Sequence, residues 1–370
     1  MRLGLFYQIQ IPRPWTAESE TQRYWEMIEQ VEYAEAIGLE SVWFVEHHFR
    51  SQWSHSSAPD VTLAALSQRT SRMRLGIAVV LPPVHHPLHT AVRLATLDIL
   101  SRGRVDLGIG RSGYPYQMLP FGTDLPEATG MVEETLEIIP RAWTEETFSY
   151  QGRYYQIPPR EVIPKPVQKP HPPLWQACTR EETFWKAGQQ GLGCITQSSI
   201  GLERSKHLIG LYREAIQTAK PVGQFVNNQV TASTVAYCAE DRRTARARGA
   251  ELIDWYREQQ RRRDATVWQG YDTSKIPPEF QWHYQRTLTD TARRDEASSL
   301  ALIEQGGRFC IGDPDDCIRY LECYEALGVD EIMPLFQVGP ASHQEVMETL
   351  RLFGRYVIPH FRRKAVRECS

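Results

Sequence analysis

Short apolar runs of four to eight residues alternate along this chain with longer segments in which apolar residues recur at helical spacing. Runs of the first kind predict strands, and segments of the second kind predict helices. Strands are predicted over residues 3–8, 41–46, 73–81, 104–109, 174–178, 194–197, 230–237 and 330–336. Helices are predicted over residues 18–37, 61–72, 88–100, 127–143, 181–190, 202–219, 314–327 and 344–361.

This regular alternation favours an α/β fold in which eight parallel strands close into a (β/α)₈ TIM barrel. A doubly wound sheet is the alternative, but such sheets usually have fewer strands. We expect residues 1–370 to form a single barrel domain. Two segments exceed what the barrel needs: insertions over about 148–173, after the fourth strand, and about 241–307, after the seventh.

The two insertions differ in composition. Residues 148–173 are rich in proline, and the sequence YQGRYY at 150–155 predicts a hairpin. Residues 241–307 begin with a polar, arginine-rich helix. A long insertion without barrel periodicity forms a lid, a wall of the substrate pocket or an oligomer contact, and the pattern leaves these three open.

Composition excludes several classes of partner. A net charge of −3 gives no sign of binding to nucleic acid or to a membrane surface. Apolar runs stay well short of the roughly 20 residues that span a bilayer. The first predicted strand begins at residue 3, without the features of a secretory signal. Seven scattered cysteines are typical of free thiols, so we expect a cytoplasmic protein.

The second predicted strand ends in Glu46, His47 and His48. Chemistry in a parallel barrel sits at the carboxyl ends of the strands, so His47 and His48 are candidate catalytic residues. If the strand continues, His47 points to one side, and Glu46 and His48 point to the other. A packed or capping histidine is the alternative.

A second histidine cluster, His85, His86 and His89, follows the third strand and raises the question of a metal site. The spacing of His85 and His89 can place two ligands on one helix face. Pro87 lies between them, and the acidic partner of an HExxH motif is missing. We therefore predict no metal, and a metal-dependent hydrolase remains a remote alternative.

Two turns after predicted strands suit an anion. Small residues surround Arg111 and Ser112 after the fourth strand, where glycines let the backbone approach a ligand closely. Thr179, the predicted N-cap of a helix, and Arg180 follow the fifth strand. A structural arginine and an ordinary N-cap are the alternatives. Because neighbouring strands lie side by side in a barrel, the two turns together favour a cofactor that carries phosphate.

The chain resembles the bacterial-luciferase-like flavin monooxygenases over nearly its whole length. The matching segments are 2–6 (RLGLF), 45–49 (VEHHF), 76–82 (GIAVVLP), 97–111 (LDILSRGRVDLGIGR), 312–315 (GDPD) and 328–332 (GVDEI). The resemblance implies a TIM barrel that binds reduced FMN, supplied by a separate flavin reductase, and reacts it with O₂ to give a peroxyflavin. It also implies a homodimer.

The resemblance carries roles onto particular residues. His47 matches the family's histidine beside the reactive flavin edge, and Arg111 matches its phosphate-binding arginine. The other phosphate contacts fall on Thr179, Arg180 and Thr183. A cis peptide that packs on the flavin ring in many members falls at Ile77–Ala78.

The chain also departs from the luminescent enzymes. Gly110 stands where they have a reactive cysteine, Ser112 replaces a glycine, and the 241–307 insertion differs. These departures argue against light emission. They favour an FMN-dependent monooxygenase that oxygenates a small organic substrate in secondary metabolism or degradation, with His47, alone or with His48, controlling proton transfer. The alternatives are a deazaflavin-dependent oxidoreductase of the same fold and a non-catalytic flavin-binding protein.

Overall fold

A computed structural model describes the backbone of residues 1–292 and 297–362 and the side chains of residues 1–289 and 297–362. Its strands are β1 (Arg2–Tyr7), β2 (Ser41–Phe44), β3 (Arg74–Val80), β4 (Val105–Ile109), β5 (Phe148–Gln151), β6 (Gln156–Arg160), β7 (Leu174–Ala177), β8 (Gly193–Gln197), β9 (Val230–Cys238), β10 (Cys310–Gly312) and β11 (Glu331–Leu335).

Helices alternate with these strands, as the hydrophobic pattern predicts. They are α1 (Ser19–Ile37), α2 (Pro59–Ser67), α3 (Pro87–Leu100), α4 (Pro115–Met118), α5 (Leu125–Thr144), α6 (Glu181–Gln189), α7 (Leu202–Ala215), α8 (Arg242–Asp264), α9 (Pro278–Ala292), α10 (Ser299–Gln305), α11 (Pro314–Ala326) and α12 (His343–Leu352). Within the described residues, no helix combines the length and apolar character that crossing a bilayer requires.

Eight of the strands close into a parallel barrel in the order β1, β2, β3, β4, β7, β8, β9 and β11. Pairing of β8 with β9 and of β11 with β1 completes the ring, with Ile195 opposite Thr231 and Arg2 opposite Glu331. The predicted (β/α)₈ barrel is therefore confirmed. The carboxyl ends of all eight strands lie at one mouth, because every pair is parallel.

Both insertions occur where the sequence predicts them. The first contains the expected hairpin, in which β5 and β6 pair antiparallel. The second begins with the arginine-rich helix α8 and continues through α9 and α10 to the short strand β10, which pairs with the end of β9. Residues 293–296 of this insertion lie outside the described part of the chain.

Two tryptophans fill the barrel interior. The rings of Trp43 and Trp175 meet edge to face with centroids 5.4 Å apart, and both side chains are fully buried. Each indole N–H donates to a buried carboxylate, Trp43 to Glu331 and Trp175 to Asp106. A Cβ on Gly76 would lie 2.1 Å from the Trp43 ring, so glycine is needed there for space.

We expect Gly76→Ala to lower the free energy of unfolding by about 1–3 kcal/mol, because the added methyl group overpacks the core against Trp43. Gly210→Ala is the matched control: it lies in α7 with nothing within 4 Å of its added Cβ. That change should stabilise the protein by up to about 1 kcal/mol, since alanine is the better helix former. Urea unfolding measures both, and equal midpoints would contradict the packing argument.

Candidate active site

A cavity of about 380 Å³ opens at the carboxyl-terminal mouth of the barrel, between the ends of β2, β3, β4 and β7 and the helices α5, α6 and α9. Seven residues singled out from the sequence line it: His47, Ala78, Arg111, Ser112, Thr179, Arg180 and Thr183. Ile77 and His48 are not among its lining residues. We call this space the flavin cavity below, for the cofactor that the sequence predicts.

The cis peptide bond lies between Ala78 and Val79, one residue later than the predicted Ile77–Ala78. Ile77 is fully buried in the barrel wall, whereas Ala78 and Val79 line the cavity. The pairing of β3 with β4 shifts register between Ile77 and Val80. In a run of apolar residues such as GIAVV, the sequence does not show at which residue the strand becomes irregular. The predicted position of the cis peptide bond was therefore wrong by one residue.

Glu46 lines the flavin cavity and accepts hydrogen bonds from two histidines. Its Oε1 atom is 2.7 Å from Nε2 of His48 and 2.5 Å from Nε2 of His85, and its Oε2 accepts from the Leu81 N–H. Burial acts to raise the pKa of Glu46, but the hydrogen bonds from both histidines hold it below its usual value. His48 thus contacts Glu46 and does not line the flavin cavity.

These three side chains are the one group of described residues whose atoms lie close enough to hold a metal ion together. Both imidazole nitrogens face the same carboxylate oxygen at hydrogen-bond distance. Hydrogen bonds to a charged acceptor therefore account for the arrangement. His86 and His89, the other members of the predicted cluster, lie on the exposed side of α3.

We expect Glu46→Gln to lower the free energy of unfolding by about 1–3 kcal/mol at neutral pH, since a buried charged acceptor is lost. The folded pKa of Glu46 is lowered, so its contribution is present above the unfolded pKa of about 4.3 and is lost as the pH falls through the folded pKa. The free energies of unfolding of the wild type and of Glu46→Gln should therefore become equal in acid. Glu203→Gln, on the exposed face of α7, is the matched control, and it should leave the free energy of unfolding unchanged at neutral and at acid pH.

His47 lines the flavin cavity and His48 does not. The strand β2 ends at Phe44, and Glu46 lines the cavity with His47, so the predicted strand alternation does not extend to these residues. The backbone N–H of His47 donates to Ser56, and its Nδ1 is buried without a partner among the described residues. Burial, and then the charges of Arg50 and Arg263, hold the pKa of His47 well below its usual value. The imidazole is therefore neutral at neutral pH and able to exchange a proton with a bound molecule.

The predicted anion-binding turns come together as expected. Arg111, at the end of β4, donates to Thr129 and to the backbone oxygen of Glu279, and its guanidinium lies 4.2 Å from the centre of the Phe280 ring. Burial and then the nearby charge of Arg180 lower the pKa of Arg111. Arg180 has a buried Nε atom without a partner among the described residues.

The start of α6 differs in one detail from the prediction. Arg180, not Thr179, is the N-cap residue. The hydroxyl of Thr183 accepts from the backbone N–H groups of both Thr179 and Arg180, at 3.0 Å each. Thr183 thus accepts hydrogen bonds from both backbone N–H groups at the start of the helix. The Thr179 hydroxyl is left available to the cavity that it lines.

Ser112 adopts a left-handed backbone conformation with φ of 60°, which is unusual for a residue other than glycine. Its hydroxyl accepts hydrogen bonds from the Tyr114 N–H and from the Gln117 side chain. Gln117 in turn accepts from the His48 N–H. This chain of contacts ties the turn after β4 to the histidines after β2.

Two lining residues on α9 and one on β7 were not predicted from the sequence. His283 and Glu279 line the cavity, and burial, followed by the charge of Arg286, lowers the pKa of His283 to about 3. Gln176, at the end of β7, contributes a buried oxygen without a partner among the described residues. The adjacent Trp282 and His283 are the single local sign of a binding site in this insertion. The pair does not show which strand ends it will pack against.

Comparison with known proteins agrees with this geometry. A sequence model of the family described as "Luciferase-like monooxygenase" matches residues 1–331. The chain belongs to the luciferase-like monooxygenase family. The predicted family membership is thus confirmed, and relatives of this luciferase-like chain are named as monooxygenases.

Among these relatives is the oxygenase component of a flavin-dependent trigonelline monooxygenase from Acinetobacter baylyi, 26% identical over 367 residues, which cover 98% of this chain and 96% of the relative. The oxygenating constituent of 3,6-diketocamphane monooxygenase from Pseudomonas putida, solved with FMN, has a TM-score of 0.75 at 20% identity and covers 97% and 98% of the two chains. A coenzyme F420-dependent reductase from Methanopyrus kandleri shares the fold with a TM-score of 0.68 at 19% identity, over 98% and 100%.

Proposed function

We propose that this protein is the oxygenase component of a two-component, FMN-dependent monooxygenase. The observation that carries the proposal is the meeting of Arg111 and Arg180 in one cavity with the neutral His47. The two arginines suit the phosphate of a flavin mononucleotide, and the histidine lines the same space. The relative that is named as an oxygenase component supports a separate flavin reductase as transient partner.

The residues present fit a phosphate-bearing flavin. Two partly buried guanidinium groups that repel each other would gain from a bound dianion, because arginine pairs with phosphate through two parallel hydrogen bonds. The partnerless Nε of Arg180 supplies a donor for it. Val79, Leu81, Val132 and Leu136 give the cavity an apolar wall that suits an aromatic ring system and keeps water away.

Reduced flavin supplies the electrons with which O₂ is activated. The protein contributes binding, exclusion of water and proton control. His47 has a neutral imidazole whose partnerless Nδ1 can hold or donate one proton beside the reacting group. Glu46 positions the segment that carries His47 by anchoring His48 and His85.

Cofactor choice is tested by binding and turnover. We expect reduced FMN to bind, and O₂ to reoxidise the bound flavin at a rate different from that of free reduced FMN, which O₂ oxidises to FMN and H₂O₂ without any protein. Titration with a reduced deazaflavin of the F420 type serves as the comparison, since a relative of the same fold uses F420. Tighter binding of the deazaflavin with anaerobic turnover would replace this proposal with a dehydrogenase or reductase. Binding of FMN with reoxidation by O₂ at the rate of the free flavin would indicate a non-catalytic flavin protein.

A further inference from the structure

A second cavity, of about 510 Å³, adjoins the flavin cavity and shares Thr179 and Arg180 with it. We call it the arginine cavity because seven arginines line it: Arg180, Arg204, Arg257, Arg261, Arg263, Arg286 and Arg308. Asp264 is the one acidic residue among its described lining residues. Helices α8 and α9 of the long insertion supply much of the wall, so the insertion forms part of a pocket.

Three of these arginines have carboxylate partners near the surface. Arg204 pairs with Glu181, Arg261 with Glu258, and Arg180 with Glu182, and the three acidic side chains are 41–76% exposed. Such solvent-exposed pairs contribute little and yield readily to a better-placed anion. Among the described residues, the carboxylates that pair with these three arginines are thus exposed ones that a bound anion can displace.

Deeper in the protein lie two further arginines, of which one pairs with a carboxylate. The side chain of Arg263 is 14% exposed and pairs with Asp264, whereas Arg50 is 8% exposed and its buried Nε has no partner among the described residues. Both guanidinium groups lie near the ring of Tyr114, with 4.9 Å and 5.2 Å from its centre to the Cζ atoms of Arg50 and Arg263. Both also line a smaller space of about 240 Å³ beside the arginine cavity.

A buried guanidinium without a full set of acceptors is costly unless a ligand completes it. Burial and then the charge of Arg263 lower the pKa of Arg50 to about 10, which reflects the missing counter-charge. The same two arginines act on His47, since their charges contribute to its lowered pKa. An anion bound here would therefore lie within electrostatic reach of the candidate catalytic histidine.

Part of the remaining wall of the arginine cavity is apolar, beside the polar residues Gln197, Ser199 and Gln260. Ile200, Leu302 and Phe309 line it, together with Trp282, whose ring lies against Arg180 and Arg286. A ligand that fits this space has an oxyanion at one end and an apolar or aromatic body at the other. Carboxylates match both features, because arginine binds their two oxygens in its planar fork.

We propose that the substrate is an organic acid whose carboxylate binds Arg263, with Arg50 adding charge from the adjoining smaller space, while its body lies in the arginine cavity. This rests on the proposed function, since it names the substrate class of that enzyme. The Arg111 and Arg180 pair serves the cofactor phosphate, and the deeper pair serves the substrate anion. Tyr114 holds the two guanidinium groups in place between the cavities.

The test compares acids with their neutral amides. Benzoate, indole-3-acetate and glutarate, each beside its amide, are titrated against the protein with and without oxidised FMN, by calorimetry. At least one acid should bind about 10- to 100-fold more tightly than its amide, the range for a charge-assisted hydrogen bond. Phenyl phosphate, measured in parallel, separates carboxylate from phosphate preference. Binding of no acid, equal binding of every acid and amide, or a preference for phenyl phosphate would overturn the proposal.

Variants then locate the site. Arg263→Gln should weaken binding of the acid by the same factor of about 10 to 100. Binding of the amide should not change. Arg50→Gln should act in the same direction, and Arg263→Lys should restore part of the affinity if the variant charge reaches the anion. Arg355→Gln, an exposed arginine beyond α12, is the matched control and should have no effect.

Failure of this inference is separable from failure of the proposed function. If Arg263→Gln weakens FMN but not riboflavin, the arginine cavity holds the cofactor phosphate, and the substrate assignment is wrong. If FMN binds normally and no acid is preferred, the inference alone fails. If an acid binds through Arg263 but FMN does not bind, the proposed cofactor is wrong and the anion site stands.

Discussion

Arg111→Ala should weaken FMN binding by about 10- to 100-fold, because one charged donor to the phosphate is worth ~1.5–3 kcal/mol. Riboflavin, which lacks the phosphate, should bind the wild type and the variant within about 3-fold, since no contact of this kind is lost. Quenching of flavin fluorescence measures both affinities. The comparison matters because Arg111 also contacts Thr129 and the backbone of Glu279, so its loss loosens α9 as well.

Two further variants separate charge from packing. Arg111→Lys keeps the charge but loses the planar fork, and should recover part of the FMN affinity. Arg160→Ala, on the exposed strand β6, is the matched control and should leave both flavins unaffected. An equal loss of FMN and riboflavin in Arg111→Ala would show that the arginine only supports the cavity wall, and would remove the main support for a phosphate there.

His47→Ala should release H₂O₂ faster when the complex with reduced FMN is mixed with O₂, because the group that controls proton transfer is gone. A positioned acid or base typically contributes about 10²–10⁴-fold, so a change of about 10-fold or more is expected. Stopped-flow recovery of oxidised flavin and a peroxide assay measure the effect. His89→Ala, an exposed histidine on α3, is the matched control and should match the wild type.

The pH dependence gives a second readout of His47. Its pKa is lowered, so the imidazole stays neutral above a folded pKa that lies well below 6.5 and becomes charged only in acid. The rate of flavin reoxidation should therefore show no inflection near pH 6.5 from this residue. In Arg263→Gln the repelling charge is removed, and the inflection should move upward toward neutral pH. A reoxidation rate in His47→Ala equal to the wild-type rate at every pH would argue against a role in proton transfer.

Much of the barrel follows from local pattern. Strand and helix periods repeat every two and every three to four residues, so each element is recorded in its own segment. Ends are less certain: helix 61–72 was predicted where α2 covers Pro59–Ser67, and 202–219 where α7 covers Leu202–Ala215. In the second case a short 3₁₀ turn at Ile216–Thr218 continues the same apolar spacing, which the pattern alone does not distinguish.

Part of the site was readable for the same reason. Glu46, His47 and His48 follow a strand, as do Arg111 and Arg180, and a parallel barrel brings all strand ends to one mouth. His47 and His48 do separate, but β2 ends at Phe44 and Glu46 lines the cavity with His47, so alternation along the strand is not the reason. Homodimer formation and a cytoplasmic location remain predictions.

What local pattern determines is thus the order of strands and helices and the residues at the strand ends. Tertiary structure alone decided that α8 and α9 fold over the mouth, that His283 faces the flavin cavity, and that Arg50 meets Arg263 around Tyr114. The physical reason is that these contacts join segments far apart in the chain, through side chains on an insertion without a repeating pattern. The positions of these side chains depend on how the insertion packs against the barrel. The spacing of residues within one segment does not predict that packing.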